Sequence, residues 1–385
     1  MLLSLFRYPA HSANWITLSE SFHPNRTPLP ETLTSRHALT PSMTFWKNEL
    51  FVAWTESDSH GIQQLYIRRL KDGLAWDQFG RSQNRDRSYS SSAPFIATNG
   101  KNLFLAWTEK NDANVSQLYV KQWNGSEWEN LGGVLNNKPE KDARSPMIAF
   151  LNGFPYLAWN ETGEKEWSKL YIKHWNGENW IPVGTGFGLE AQHITQAPFL
   201  LFSGNQGHLI WAESDETRVF QIYHAMLEDG KWLRSPSALN QNQKMQAFNP
   251  SLAIFKNNLF AIFQERTADE QFTIQLRHLT SEGWKSENSR LIRLGGKSFN
   301  PVLVPDHETL LIAWENWNLL GIPKIAAQTL TLEGESKIID LPPESSPGDF
   351  RLNPILISDF QSIYLGWREP AENDLYRFQI RKRLP

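Results

Sequence analysis

The chain has no cysteine, which excludes a disulfide framework and any metal site built on thiolates. No stretch approaches the roughly 18 consecutive apolar residues of a membrane helix, so no membrane insertion is expected. Neither sign of charge is in excess: 38 Lys and Arg against 41 Asp and Glu leave a formal net of -3. That balance lacks the basic field that recruits nucleic acid, so nucleic acid is not expected as a partner. Catalytic signatures of fixed local spacing are missing too: there is no G-x-S-x-G, no H-E-x-x-H, no phosphate-cradling glycine loop and no calcium loop of the EF-hand type. The expectation is accordingly no metal, no cofactor and no motif-borne catalytic set. Residues 1–9 have no basic n-region and Arg7 breaks their apolar run, which reads as a cytoplasmic or non-classically exported protein.

What the chain does have is rhythm. Pro41, Pro94, Pro146, Pro198, Pro250, Pro301 and Pro354 stand 53, 52, 52, 52, 51 and 53 residues apart. Thirteen residues after each comes Trp54, Trp107, Trp159, Trp211, Phe263, Trp314 or Trp367. A period near fifty built of short strands and Gly-centred turns marks a β-propeller whose repeat is one four-stranded blade. The fold class expected is all-β, a seven-bladed β-propeller forming a single domain over 1–385. Blades fall near 41–80, 94–133, 146–184, 198–235, 250–288, 301–341 and 354–385.

The third repeat shows the pattern. Residues 146–153 and 154–161 are apolar runs suited to strands A and B, covered on both faces. Residues 169–175 alternate as strand C should, and Asn176-Gly177 turns the chain into strand D at Trp180. The proline marks the entry to strand A, since it lacks an N–H to donate. The last repeat ends one strand short, and Asn14-Trp15-Ile16-Thr17-Leu18 has the look of the missing strand D. Residues 13–19 are expected to complete that blade and remove an open sheet edge.

The segment 118–133, with its Trp-Asn-Gly-x-x-Trp turn and Leu-Gly-Gly end, resembles the repeat of bacterial seven-bladed propeller lectins. The same turn is similar to a degenerate Asp-box of the sialidase-like propellers. The lectin resemblance implies several carbohydrate pockets around a rigid disc.

Two sets of residues compete as site candidates. Glu56, Glu109, Glu161, Glu213, Glu265 and Glu369 form a Trp-x-Glu repeat and, because they recur, read as scaffold contacts to loop backbone rather than as ligands. Sites sit where repeats differ, which draws the eye to the loops on the proline face. There, Tyr89, Arg87, Trp167, His193 and Trp317 fall outside the repeated positions and are the expected ligand-binding residues. The function expected is a non-enzymatic protein that binds carbohydrate multivalently, with a protein-interaction scaffold as the alternative. A polysaccharide-active hydrolase or lyase, using loop acids such as Asp58, Asp112 and Asp215, ranks third. The expected partner is a glycan or a protein.

Overall fold

The computed structural model describes residues 15–18, 41–71, 75–163, 167–184, 193–214, 217–341, 350–370 and 376–383. Their regular structure is strand throughout, apart from one 3-10 turn at Asn288–Arg290. Strands follow one another in antiparallel groups of four. The group 91–130 is representative: strand A is Ser91–Thr98, B is Leu103–Lys110, C is Ser116–Trp123 and D is Trp128–Asn130. Groups 42–78, 143–182, 194–234, 247–286 and 297–338 repeat this order, and a single parallel bridge from Ser168 to Ile194 joins two of them into an eight-stranded sheet. The group 352–383 supplies three strands and takes its fourth from Trp15–Thr17, with Trp15 opposite Arg383 and Thr17 opposite Arg381. Of the segment expected to provide this strand, residues 13, 14 and 19 lie outside the described residues, as do residues 1–8.

The proline has a different place from the one read off the sequence. Except at Pro41, which stands just before the strand Ser42–Trp46, strand A begins two to four residues before it, as at Ser91, Ile194 and Leu352, and the pairing with strand B shifts register at that point. The residue before each of the other six prolines takes a left-handed conformation, with φ from 48° to 52° at Ala93, Ser145, Ala197, Asn249, Asn300 and Asn353. A proline has no N–H to leave unpaired, so it fits a bulge as well as a strand start. Among residues with a Cβ, asparagine bears the left-handed backbone at low cost, and three of the six positions use it.

Strand B is buried along nearly its whole length, as in Leu103–Lys110, because each sheet has neighbours on both faces. The repeated tryptophan fills the gap on one side: Trp107 packs with Phe51, Ala53 and Ile67 of the sheet before it, and Trp159 with Phe104, Ala106 and Val120. Trp211, Phe263, Trp314 and Trp367 do the same in turn, and Trp54 of the first sheet shares a core with Tyr364 and Ile380 of the last. A cation from strand C lies over the outer ring face, Lys121 at 5.2 Å from Trp107 and Lys173 at 5.5 Å from Trp159.

The Trp-x-Glu carboxylates lock this wedge to the preceding loop. Glu109 accepts the backbone N–H groups of Arg85 and Asp86, each at 2.8 Å, together with the Trp107 indole at 3.0 Å. Glu161 takes Asn137 and Lys138 at 2.7 Å and Trp159 at 3.2 Å, and Glu265 takes Gln241 and Asn242 at 3.0 and 2.7 Å. Burial pushes the Glu161 carboxyl up and these donors pull it back. Glu369 accepts from Trp367 and Gln379. Glu56, which holds the Trp54 indole at 3.3 Å, is pushed up to about 7 by burial, opposed by Trp54 and Arg68.

A buried histidine pair sits in the 194–234 group. His208 Nδ1 lies 3.3 Å from His224 Nε2, the rings stack at 5.5 Å, and Trp284 of the next sheet meets His224 edge-on. Burial pushes His208 down to about 4, and burial with the neighbouring His208 pushes His224 down to about 3. Both are neutral in the folded protein at pH 7. Because the folded values lie below the unfolded one near 6.5, the stability gained is complete above pH 6.5 and is lost as pH falls through 4 towards 3.

Two outcomes are expected. Glu161→Ala strands three donors at once and should lower unfolding free energy in urea by about 3 kcal/mol, while Glu161→Gln costs less. Between pH 6.5 and 3 the melting temperature of a His208→Gln, His224→Gln double variant should fall less than that of the wild type.

Candidate functional site

The face at which strand A starts is built from the loops that join strand D to A and strand B to C. In three of the latter an Asx side chain caps the turn from within. Asp58 Oδ1 accepts the N–H of His60 and Ile62, Asn111 that of Val115, and Asn318 those of Leu320 and Ile322. Asp58 is thereby committed to its own turn and to Gln64, and Asp112 caps Ala113. Asp215 lies outside the described residues.

One sheet adds a histidine to its carboxylate. Glu213 takes the Trp211 indole, at 2.7 Å, and also meets the His193 side chain, Nδ1 to Oε1 at 2.6 Å. Arg234 lies 3.8 Å from the same oxygen and stacks 3.6 Å above Tyr223. The His193 carbonyl accepts the Ser168 N–H at 3.0 Å, which places Trp167 at the next residue, and the Arg218 guanidinium lies 5.8 Å over the Trp167 ring. A histidine fixed through Nδ1 by a buried carboxylate is the arrangement of a general base with its orienting group, Nε2 being the nitrogen that exchanges the proton.

From this point a run of half-buried rings crosses the face. Phe220 lies 5.2 Å from Phe248, Phe248 6.3 Å from Phe272, Phe272 5.2 Å from Phe299 and Phe299 5.7 Å from Trp317. Register ties it to the dyad, since Ser214 pairs with both Ile194, next to His193, and Phe220. These rings occupy positions that are polar in other sheets: Ser92, Arg144 and Gln196 stand where Phe248 and Phe299 do, and Gln63, Ser116 and Ser168 where Phe220 and Phe272 do. A polar ladder runs beside them. Asn249 Nδ2 donates to Asn300 Oδ1 at 2.5 Å, and Asn300 Nδ2 to the buried Glu315 at 2.6 Å. Glu315 also accepts the Asn353 N–H at 2.6 Å and the Trp317 indole at 3.0 Å, which fixes that ring.

Of the residues singled out in the sequence, Trp167 and His193 come together at one rim and Trp317 closes the far end of the aromatic run. Tyr89 and Arg87 stay in the loop 79–90, two sheets away on the same face. Arg87 is exposed there and its carbonyl accepts from Gln64, while the Tyr89 carbonyl accepts from Asn84. Sequence reading passed over Phe220, Phe248, Phe272 and Phe299; the signal for them was an aromatic at repeat-aligned positions held elsewhere by Ser, Arg and Gln.

No family model and no curated protein matches the chain. Solved structures match its fold. An ulvan lyase of polysaccharide lyase family 25 bound to -[GlcA(1-4)Rha3S]- superposes with a TM-score of 0.63 at 10% identity, over 90% of this chain and 94% of that one. The polysaccharide lyase Uly1 gives 0.56 at 9% over 91% and 90%. The Penicillium chrysogenum α-L-arabinanase complexed with arabinobiose gives 0.51 at 14% over 91% and 95%. These likenesses establish an all-β fold of the propeller type.

They also correct the functional expectation. The neighbours are polysaccharide-cleaving enzymes, against the expectation of a non-enzymatic lectin or interaction scaffold. The geometry agrees with the correction: multivalent binding needs equivalent pockets, yet the His193 dyad occurs in one sheet and the aromatic run in adjoining ones. The lectin resemblance stays confined to the Trp-Asn-Gly turns, exposed hairpins in which Asn124 Oδ1 caps the N–H of Ser126 and Glu127.

The ladder yields a test. In Glu315→Gln the new amide opposes the Trp317 indole N–H, donor to donor, so that N–H should lose its hydrogen-exchange protection in NMR. The melting temperature should change little.

Proposed function

We propose that the protein is a polysaccharide-cleaving enzyme whose substrate lies along the Phe220 to Trp317 run, and that it breaks the chain by β-elimination at a uronate residue. The observation that carries the reading is the His193–Glu213 dyad at the head of a non-repeated aromatic run. Among the described residues the repeated carboxylates are occupied by backbone or side-chain donors, which disfavours the facing carboxylate pair of glycoside hydrolysis. The likeness in fold to lyases supports the same choice. The frame that fits these sites is a seven-bladed propeller in one domain, closed by the pairing of residues 15–17 with 381–383.

In this mechanism the substrate carboxylate is met by the Arg218 cation above Trp167, which stabilises the charge that develops on proton loss. His193 Nε2 removes the proton from the carbon bearing the carboxylate. The electron pair left behind forms the double bond to the next ring carbon, and the bond from that carbon to the glycosidic oxygen breaks. The departing oxygen takes a proton, giving one new reducing end and one unsaturated uronate. Glu213 holds the imidazole in the tautomer this requires.

The chain should be incubated with ulvan and, separately, with arabinan, while reducing ends and the ultraviolet absorbance of the conjugated uronate are followed together. Ulvan should give both signals and arabinan neither. His193→Gln should lower kcat by about 10² or more, and Trp317→Ala should raise KM by roughly three- to tenfold with kcat little changed. Reducing ends without absorbance would establish hydrolysis and sink the elimination reading.

A further inference from the structure

The opposite face, where strand A turns into B, carries a second recess. A cavity of about 650 Å³ lies where the first sheet meets the last, between the turn at Lys47 and Asn48 and the turn at Asp359 to Gln361. Its volume is in the range of small-ligand sites. It belongs to no part of the site already described.

The lining combines rings with balanced charge. Phe45 and Tyr364 pack edge-to-face at 4.8 Å, and Phe360, 53% exposed, stands at the mouth on a left-handed backbone with φ 63°. Two carboxylates and two ammonium groups face the space: Glu49 and Asp359, Lys47 and Lys382. Glu49 is 3.5 Å from Arg69, and Asp359 accepts the N–H of Gln361 at 2.8 Å and of Ser362 at 2.6 Å and the Tyr364 hydroxyl at 3.2 Å. Lys382 lies 5.3 Å over the Tyr364 ring. A lining of this kind exerts no net pull on a cation or an anion. It suits a neutral ligand that gives hydroxyl protons to the carboxylates, accepts from the lysines and lays an apolar ring face on Phe360.

We infer that this recess is a saccharide-binding site for a short neutral oligosaccharide, separate from the cleavage site. It does not rest on the reaction proposed above, because neither His193 nor the aromatic run contributes to it.

The test is calorimetry of the full chain with cellotriose, xylotriose and arabinotriose, repeated on Phe360→Ala, Lys47→Ala and Trp317→Ala. Phe360 and Lys47 are exposed turn residues, so both variants should keep the wild-type melting temperature. At least one trisaccharide should bind, at least tenfold more weakly in Phe360→Ala and in Lys47→Ala and unchanged in Trp317→Ala. Failure of all three sugars to bind wild type, or binding that Phe360→Ala leaves intact, overturns the assignment. Loss in Trp317→Ala alone moves the sugar to the cleavage face and also overturns it.

Discussion

A buried carboxylate that ties one sheet's core tryptophan to the loop leading out of the sheet before it is the contact on which the rest of the structure depends. Glu109 and Glu161 each join an indole N–H to two successive loop N–H groups. Without the carboxylate those donors would be buried unpaired, at a cost of about 1–3 kcal/mol apiece. With it, the wedge between sheets and the loop on the functional face become one rigid piece. Loops at the proline ends of the strands are thereby anchored to the core rather than draped over it.

The proposed site arises from departures from that unit. At Glu213 a histidine joins the partners of a scaffold carboxylate, which thereby orients a titratable side chain. At Glu315 the carboxylate has moved one residue along the strand and so reaches the following sheet, whose Asn353 N–H it accepts together with Asn300 and the Trp317 indole of its own sheet. The left-handed residue before the proline matters here as well. It re-aims strand A at the rim, and in two neighbouring sheets it presents a phenylalanine and then an asparagine, Phe248-Asn249 and Phe299-Asn300, to the same face.

Much of the sheet order was legible because each repeat states it again. Pro146, Trp159 and Asn176-Gly177 recur at fixed offsets, and a local signal repeated along the chain outweighs the weakness of each copy. The bulge was not legible, since a proline reads alike at a strand start and inside a bulge. Nor was the His193–Glu213 pair, whose members are 20 residues apart and meet only because strands A and B are antiparallel. Trp317 stood out by its type, whereas the four phenylalanines of the run looked like ordinary core residues. The functional class was misread for a physical reason: repetition suggested equivalent pockets, while the His193–Glu213 pair and the aromatic run lie where repetition fails.

The most direct measurement is a crystal structure of the His193→Gln protein with a uronate-containing oligosaccharide bound. The account predicts sugar rings lying over Phe248, Phe272 and Trp317, with a uronate carboxylate beside Arg218 and its neighbouring carbon facing residue 193. An oligosaccharide seated in the sector of Tyr89 and Arg87, with the aromatic run bare, would contradict it.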